Sequence, residues 1–307
     1  MKNLPLKKFP IFYRKPNMLQ LIILAFIIFI LIAFQSVCYA QPTNSRLWRI
    51  DKNGIESSYI FATMHSENPS VLKLPETVKK VFIKTKSFTA EVDLSLDLTA
   101  SLGLAMMLPK NKNLKSIIGD ELFQSSISIL SEYGIPHRVV NRMKPWAVLM
   151  TLSYPKPKTG LFLDKLLFNK AMKQNKKHYG LETVAEQIAI FNDTPLSHQT
   201  ILLRDTIKQY PTFNQQLEKI RKLYLKGDLD GLQLFNQEVM SKGDYKVANK
   251  FMVNLIDKRN LKMVARMQAR LLEGNAFIAV GALHLPGEKG ILALLRKQHY
   301  QTTAVNN

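Results

Sequence analysis

The chain has 307 residues, enough for one large domain or two small ones with a sizeable buried core. Its composition, 46% hydrophobic and 21% charged, is that of a globular protein and excludes wholesale disorder. The net charge of +20 favours anionic surroundings such as phospholipid headgroups or cell-wall polymers. The basic residues lack the interleaved aromatic residues of a nucleic-acid platform, which argues against nucleic acid as a partner.

The N-terminus has the features of an export signal. A basic stretch without acidic residues precedes the apolar run MLQLIILAFIIFILIAF, which is followed by QSVCYAQPT. Cys38 and Ala40 occupy the recognition positions for cleavage before Gln41. The apolar run of 17 residues is also just long enough to span a membrane. We expect 1–40 to be a cleaved signal peptide or an uncleaved anchor, and 41–307 to be a single exported domain, periplasmic or secreted.

The exported part begins with a predicted β-hairpin. In SRLWRIDKNGIESSYIFATMH, apolar residues alternate on both sides of the turn signal Lys52-Asn53-Gly54, and the second strand runs through Tyr59 to Ala62. Pro75 and the periodic apolar residues after it predict a helix to about Lys86. SFTAEVD alternates like a strand, with Phe88, Ala90 and Val92 on one face.

The middle of the chain is predicted to be helical. Helical patterns cover most of 97–175 and again 197–273, and KKHYGLE between them is a short strand candidate before a helix over 184–191. A final strand at 277–280 precedes a short helix at 290–298. We therefore predict an α/β (α+β) fold in which a mixed central sheet, assembled from both ends of the chain, is covered by helices.

Four predicted strands end close to an ionisable side chain. Ligands of open α/β sheets bind outside the carboxyl ends of the strands, so neighbouring strands would bring these side chains together. The four pairs of strand and side chain are Tyr59–Ala62 with His65, Phe88–Val92 with Glu91, His178–Leu181 with Glu182, and Phe277–Val280 with His284.

This set of residue types is typical of metal-assisted hydrolysis. His65, His284 and the carboxylate of Glu91 can bind a divalent transition metal (Mn, Co or Zn) and leave open positions for water or substrate. A metal-bound water has a lowered pKa and attacks a carbonyl carbon. Glu182 can accept its proton and pass one to the leaving group. Arg259, in the sequence DKRN, can stabilise a developing oxyanion.

Each of these residues also fits an ordinary structural role. His65 or His284 alone can be a hydrogen-bonded loop residue, and Glu91 can face solvent on its strand. Glu182 can place negative charge at the N-terminus of the next helix. Arg259 can pair with a neighbour on a helix surface. Only the joint pattern points to a site.

Six segments of the chain match those of a known family in the expected order. They are LWRI…YIFATMHS, FTAEVDLS, KPWAVLM, YGLETVAEQIAIF, DKRNLKMVARM and FIAVGALHLPGEKGILALLRKQHY. From about Arg46 to Tyr300, the chain resembles the TraB/GumN family. The most specific segment is the last one, with the Gly-x-x-His pattern of Gly281 to His284. The first Gly-x-x-His pattern departs from the family, because Ala62 stands where glycine is usual.

The resemblance implies the fold of the Tiki proteases and, more remotely, of the erythromycin-esterase and ChaN-like groups. Tiki members resemble metal-dependent proteases that use the two Gly-x-x-His histidines and acidic residues. The resemblance thus marks His65, His284 and Glu91 as metal-site residues of a peptidase acting on peptide or protein substrates. Glu182 and Arg259 match family positions, and their catalytic roles are our own inference from the residue types.

A different class of function fits the same fold. ChaN-like relatives resemble haem-iron binders, which shows that a fold does not fix a function. The chain also has no His-Glu-x-x-His motif. The alternative to a hydrolase is therefore a non-catalytic ligand- or metal-binding module of the cell envelope.

Overall fold

The computed structural model describes residues 44–94 and 99–305. The strands form one sheet of six, in the order β4-β3-β5-β2-β1-β6. Their bounds are β1 Leu47–Lys52, β2 Ile55–Thr63, β3 Ser87–Val92, β4 Lys177–Glu182, β5 Ala276–Gly281 and β6 Gln301–Val305.

Helices connect the strands and fill the middle of the chain. Before β4 they are α1 Pro69–Leu72, α2 Glu76–Lys84, α3 Thr99–Ala105, α4 Leu114–Ile118, α5 Asp120–Glu132, α6 His137–Val140, α7 Pro145–Leu152 and α8 Leu163–Lys173. After β4 they are α9 Val184–Asn192, α10 Leu196–Gln209, α11 Phe213–Lys226, α12 Leu229–Ser241, α13 Tyr245–Met252, α14 Lys258–Glu273 and α15 Ile291–Lys297. Short 3₁₀ turns lie at Tyr210–Thr212 and Ala282–His284, and a π-helical turn lies at Val253–Asp257.

The sheet is mixed, and its parallel half is the part that positions the site. β4, β3, β5 and β2 run parallel to one another, whereas β1 is antiparallel to both β2 and β6. Parallel neighbours require crossover connections, and the long helical segments provide them. These four strands are the four that the sequence analysis selected, so the prediction that they neighbour one another is confirmed.

The central strands are buried on both faces, as expected for parallel strands covered by helices. All residues of β5 from Ala276 to Val280 are at most 1% exposed. The ring of Phe277 packs against Phe82 and Phe61, at centroid distances of 5.0 and 5.9 Å. In β3 the first four residues are all buried, including Thr89, so the predicted alternation does not separate a core face from a solvent face.

A second hydrophobic cluster lies within the helical middle of the chain. Phe123, Trp146, Leu152 and Leu203 are among its most buried members, each at most 3% exposed. The first hydrophobic cluster surrounds the sheet and includes Phe61, Phe82 and Phe277. Among the described residues, it shares no buried residue with the helical cluster. The extent of the domain, 41–307, stays a prediction.

Most predicted elements are found close to their expected bounds. The hairpin is present, and Gly54 at its turn has φ +78°, a conformation that favours glycine. The mixed sheet covered by helices is confirmed. The strand β6 was not predicted, because QTTAV is short and its partner is the distant strand β1.

The predicted signal peptide or anchor lies outside the described residues, and its cleavage stays a prediction. Within 44–94 and 99–305, no helix has both the length and the apolar character needed to cross a membrane.

Candidate active site

The carboxyl ends of the parallel strands bring three of the predicted side chains together. Glu182 is the last residue of β4, Glu91 is near the end of β3, and His284 follows β5 by one 3₁₀ turn. In the sheet register Val92 pairs with Glu182, which places the two carboxylates on neighbouring strand ends. The predicted convergence is therefore found for these three residues.

Arg259 is the centre of this group. Its Nη2 donates to Glu91 and to Glu182, each at 2.6 Å, and its Nε donates to both oxygens of Glu182 at 3.0 Å. Its Nη1 donates to the carbonyl of Leu255 at 3.1 Å and lies 3.3 Å from His284 Nε2. We call Glu91, Glu182, Arg259 and His284 the Arg259 cluster. Charge-assisted bonds of this kind fix the guanidinium in one orientation.

The backbone before Arg259 is unusual. The π-helical turn Val253–Asp257 joins α13 to α14, and Arg259 is the second residue of α14. A π turn inserts an additional residue into the helical repeat and is frequent at functional sites. The carbonyl of Leu255, which lies within this turn, accepts from Arg259 Nη1.

Glu91 fills a gap between two strands. The β3–β5 ladder ends at the pair Thr89 and Ile278, and beyond it the Glu91 carboxylate accepts the N–H of Gly281 at 2.7 Å. A Cβ at Gly281 would lie 3.1 Å from Glu91 Oε1, so glycine permits this close approach. Burial raises the pKa of Glu91, but the protonated form of His284, Arg259 and the Gly281 N–H outweigh it and hold the pKa below its usual range.

His284 is a buried, neutral imidazole. Only 3% of the residue is exposed, and burial lowers the pKa of His284, against the charges of Glu91 and Glu182. Its Nε2 lies 3.7 Å from Glu91 Oε1 as well as 3.3 Å from Arg259 Nη1. An imidazole that is neutral at neutral pH can accept a proton during a reaction.

His65 lies in a different group of side chains. Its ring stacks on Phe162 at a centroid distance of 3.8 Å and meets the edge of Tyr154 at 5.2 Å. Its Nδ1 is 3.7 Å from Asp164, whose other oxygen accepts from Thr63 at 2.7 Å. Almost half of the His65 side chain, 48%, is exposed. His65 therefore packs within an aromatic and acidic surface group, and not against Glu91 and His284.

Tyr154 connects the two groups electrostatically. Partial burial and the negative charges of Glu91 and Asp164 raise the pKa of Tyr154, and the charge of Arg259 opposes them. Its phenol thus stays protonated, while its ring contacts His65. His65 follows the carboxyl end of β2, and Thr63 in that strand pairs with Gly281 of β5, so the surface around His65 and the Arg259 cluster lie at the same edge of the sheet.

The arrangement does not fit the three-ligand metal site that the sequence suggests. Among the described residues, no group of three or more His, Cys, Asp or Glu side chains could hold a metal ion. Glu91 and His284 are close together, but His65 is not with them, and the guanidinium of Arg259 contacts both Glu91 and His284. A fixed positive charge at this point opposes a second cation. The metal-ligand roles of His65, Glu91 and His284 stay predictions.

A comparison with known protein families identifies the family of the chain. The model of the TraB/PrgY/gumN family matches residues 46–304, which is most of the chain. The chain belongs to this family. The resemblance drawn from the six sequence segments is thus confirmed, including its approximate limits.

Relatives in this family fall into two kinds. The metalloprotease TIKI2 of Danio rerio is 25% identical over 85% of this chain, and the human metalloprotease TIKI1 is 25% identical over 84%. The chain spans only 61% of the length of each. The uncharacterized protein YbaP of Shigella flexneri is 26% identical over 79% of this chain and 89% of its own length. No solved structure matches the chain significantly.

The structure adds residues that the sequence analysis missed. Gln187 in α9 donates to Glu91 at 3.4 Å and to Glu182 at 3.3 Å. Asn260, which directly follows Arg259, contacts His284. Tyr154 and Asp164 surround His65. Of these, only Asn260 had a signal in the sequence, namely its position next to a candidate residue at the start of a helix.

Proposed function

We propose that this protein is a hydrolase of peptide bonds in peptide or protein substrates, and that the Arg259 cluster is its active site. The observation that carries the proposal is the pairing of a neutral, buried imidazole with a fixed guanidinium, His284 and Arg259, 3.3 Å apart. Amide hydrolysis requires a base that takes a proton from water and a positive group that stabilises the developing oxyanion. The names of the TIKI relatives support the choice of peptide substrates.

The side chains can perform this reaction in two steps. His284 Nε2 takes a proton from a water molecule as the water oxygen bonds to the carbonyl carbon, and the carbonyl π electrons move to its oxygen. Arg259 Nη1, now directed at Nε2, can donate instead to that oxyanion. The oxyanion then re-forms the C=O bond as the C–N bond breaks, and the His284 imidazolium returns the proton to the nitrogen of the leaving amine.

The two carboxylates support this pair. Glu91 Oε1, 3.7 Å from His284 Nε2, stabilises the imidazolium that forms during the reaction. Glu182 holds Arg259 through three contacts and is almost fully buried. A carboxylate so engaged by a guanidinium is a poor proton acceptor, so we assign Glu182 to positioning Arg259 instead of the proton transfer that the sequence suggests.

The metal requirement is a separate question. Mn, Co or Zn held by His65, Glu91 and His284 would supply an activated water. Because the described geometry does not assemble these three donors, we derive no step through a metal. An assay in which the chelator EDTA abolishes activity and one of these ions restores it would establish metal dependence. If EDTA leaves the activity unchanged, the charge of Arg259 and not a metal ion stabilises the oxyanion.

The test is cleavage of a peptide library by the purified full chain, analysed by mass spectrometry with EDTA and with each metal. We expect cleavage by the wild type and by His299→Asn, an exposed histidine outside the cluster. We expect a large loss in His284→Gln and in Arg259→Lys, since lysine cannot make the same forked contacts. Equal cleavage by His284→Gln and the wild type would rule out the site.

A non-catalytic ligand- or metal-binding module of the cell envelope remains the second candidate. The observation in its favour is that contacts within the protein already engage all three nitrogens of Arg259. A closed ion-pair cluster of this kind can be purely structural. This candidate predicts no cleavage by the wild type under any metal condition.

We also propose that the protein acts in the cell envelope. The basic N-terminal segment and the net charge of +20 support export across the cytoplasmic membrane and contact with an anionic envelope or membrane surface. The exported part would be released before Gln41 or retained by the N-terminal segment. N-terminal sequencing of exported material distinguishes these outcomes: Gln41 at the N-terminus means cleavage, and Met1 means an anchor.

A further inference from the structure

The imidazole of His284 is held on its other side by an amide. Asn260 Oδ1 lies 2.6 Å from His284 Nδ1, and the two residues are 1% and 3% exposed. Asn260 follows Arg259 on α14, so one turn of helix presents both partners of the imidazole. The ring thus lies between the amide at Nδ1 and the guanidinium at Nε2.

The orientation of the amide is fixed by a second contact. Asn260 Nδ2 donates to the main-chain carbonyl of Lys289 at 2.8 Å. A carbonyl can only accept, so the amide nitrogen must face Lys289 and the amide oxygen must face His284. An oxygen in this position accepts a hydrogen bond, and therefore the hydrogen of the neutral ring is on Nδ1.

The longer contact at the other ring nitrogen, 3.3 Å, favours the same tautomer. Arg259 Nη1 is a donor and cannot accept, so an Nε2–H group would oppose an N–H of the guanidinium. With the hydrogen on Nδ1, Nε2 has a lone pair that accepts from Arg259. Both contacts of the ring thus agree on a hydrogen at Nδ1 and a lone pair at Nε2.

We propose that Asn260 is a positioning residue that fixes His284 in the Nδ1–H tautomer and keeps the lone pair of Nε2 directed into the Arg259 cluster. The consequence for catalysis rests on the proposed function, because only an unprotonated Nε2 can take a proton from water. The tautomer itself does not depend on that function. If Asn260 had a merely structural role, tying α14 to the loop at Lys289, the tautomer would be set by the contact with Arg259 and would persist without the amide.

The test uses the full chain in detergent micelles, labelled with ¹⁵N-histidine, at neutral pH. Long-range ¹H–¹⁵N spectra distinguish a protonated from an unprotonated ring nitrogen, and His284→Gln identifies the signals of His284. We expect the wild type to show a protonated Nδ1 and an unprotonated Nε2. A wild-type signal for protonated Nε2 would overturn the proposal.

Two variants separate positioning from folding. In Asn260→Leu we expect the His284 signals to lose the pure Nδ1–H pattern, and peptide cleavage to fall on the order of 100-fold, because His284 is the general base. Asn260→Asp retains an acceptor, so it should keep the wild-type tautomer. If Asn260→Leu also keeps it, the proposal is wrong.

The control is Gln199→Leu, which removes another buried amide, 3% exposed, from α10. It should leave the tautomer unchanged, because Gln199 bonds Trp146, Phe191 and Thr194 instead of His284. The prediction of the tautomer and the prediction of peptide cleavage can fail independently of each other. A chain that shows the expected tautomer change but cleaves no peptide overturns the proposed function and leaves the positioning role of Asn260 intact.

Discussion

Arg259 and Glu182 form a buried ion pair, with Nη2 2.6 Å from one carboxylate oxygen and side-chain exposures of 9% and 2%. The pair joins the start of α14 to the end of β4, which are 77 positions apart in the chain. Removing both charges of such a pair is often nearly neutral for stability, whereas removing one leaves an uncompensated buried charge. The pair therefore fixes the geometry of the site, and removing one partner alone should strongly lower the stability of the fold.

We expect Glu182→Ala to lower the free energy of unfolding by about 3 kcal/mol, as for other broken buried pairs. The matched control is Glu238→Ala in the exposed pair with Lys219, where both side chains are about half exposed. That change should cost less than about 1 kcal/mol. Urea denaturation of the two variants measures the difference, and equal losses would show that the Arg259–Glu182 pair is not energetically special.

Stability should depend on pH through His284. Because burial lowers the pKa of His284 below its ordinary 6.5, the unfolded chain takes up this proton before the folded chain does. Stability is therefore lost as the pH falls below about 6.5. Glu91 affects stability at lower pH. Because folding lowers the pKa of Glu91, its stabilising effect is kept until the pH falls below the ordinary glutamate pKa of 4.5.

Denaturation midpoints between about pH 7 and about pH 5 test this assignment. We expect the wild type to lose more stability over this interval than His284→Gln, which has no proton to gain there. His299→Asn, a change of an exposed histidine, should follow the wild type. Parallel curves for all three proteins would show that His284 is not the group responsible.

Glu67 should hold the loop that carries the aromatic neighbours of His65. Its carboxylate accepts the N–H groups of Lys158, Thr159 and Gly160 at 2.8, 2.9 and 2.7 Å. We expect Glu67→Ala to expose this loop to trypsin, with faster cleavage after Lys158. Glu76→Ala, which removes an exposed carboxylate paired within its own helix, should leave the cleavage rate unchanged. Identical proteolysis of both variants would contradict the anchoring role.

The first residue of the two Gly-x-x-His motifs should matter differently for activity. A change at Gly281 should lower peptide cleavage, whereas a change at Ala62 should not. A Cβ at Gly281 meets Glu91 Oε1 at 3.1 Å and His284 Cδ2 at 3.5 Å, so Gly281→Ala must displace the carboxylate. We expect peptide cleavage to fall at least about tenfold, since small misplacements at a site are costly.

Ala62, by contrast, is fully buried in β2, and its main chain bonds Arg46 and Tyr224. Restoring the usual glycine with Ala62→Gly should cost about 0.5 to 1 kcal/mol of stability and leave cleavage unchanged. A gain of activity in Ala62→Gly would show that the methyl group of Ala62 restricts the site.

Local patterns were sufficient to predict the strands of the sheet's parallel half. Apolar runs bounded by turn residues identify β2, β3 and β5 because these features depend on neighbours in sequence. The strand β6 was missed, since QTTAV forms a strand through its pairing with β1 and not through its own pattern. The edge position of β6 explains why its sequence carries a weak signal.

The sequence by itself determined the family and the sheet of strands from both chain ends. It also selected Glu91, Glu182, Arg259 and His284, which lie together, and His65, which lies apart from them. It could do so because residue types at strand ends and motif spacing are properties of the linear chain. Only the tertiary structure decided how these groups pair. The placement of Arg259 between both carboxylates and His284, and the packing of His65 with Phe162, Tyr154 and Asp164, depend on side-chain directions and on contacts between distant segments.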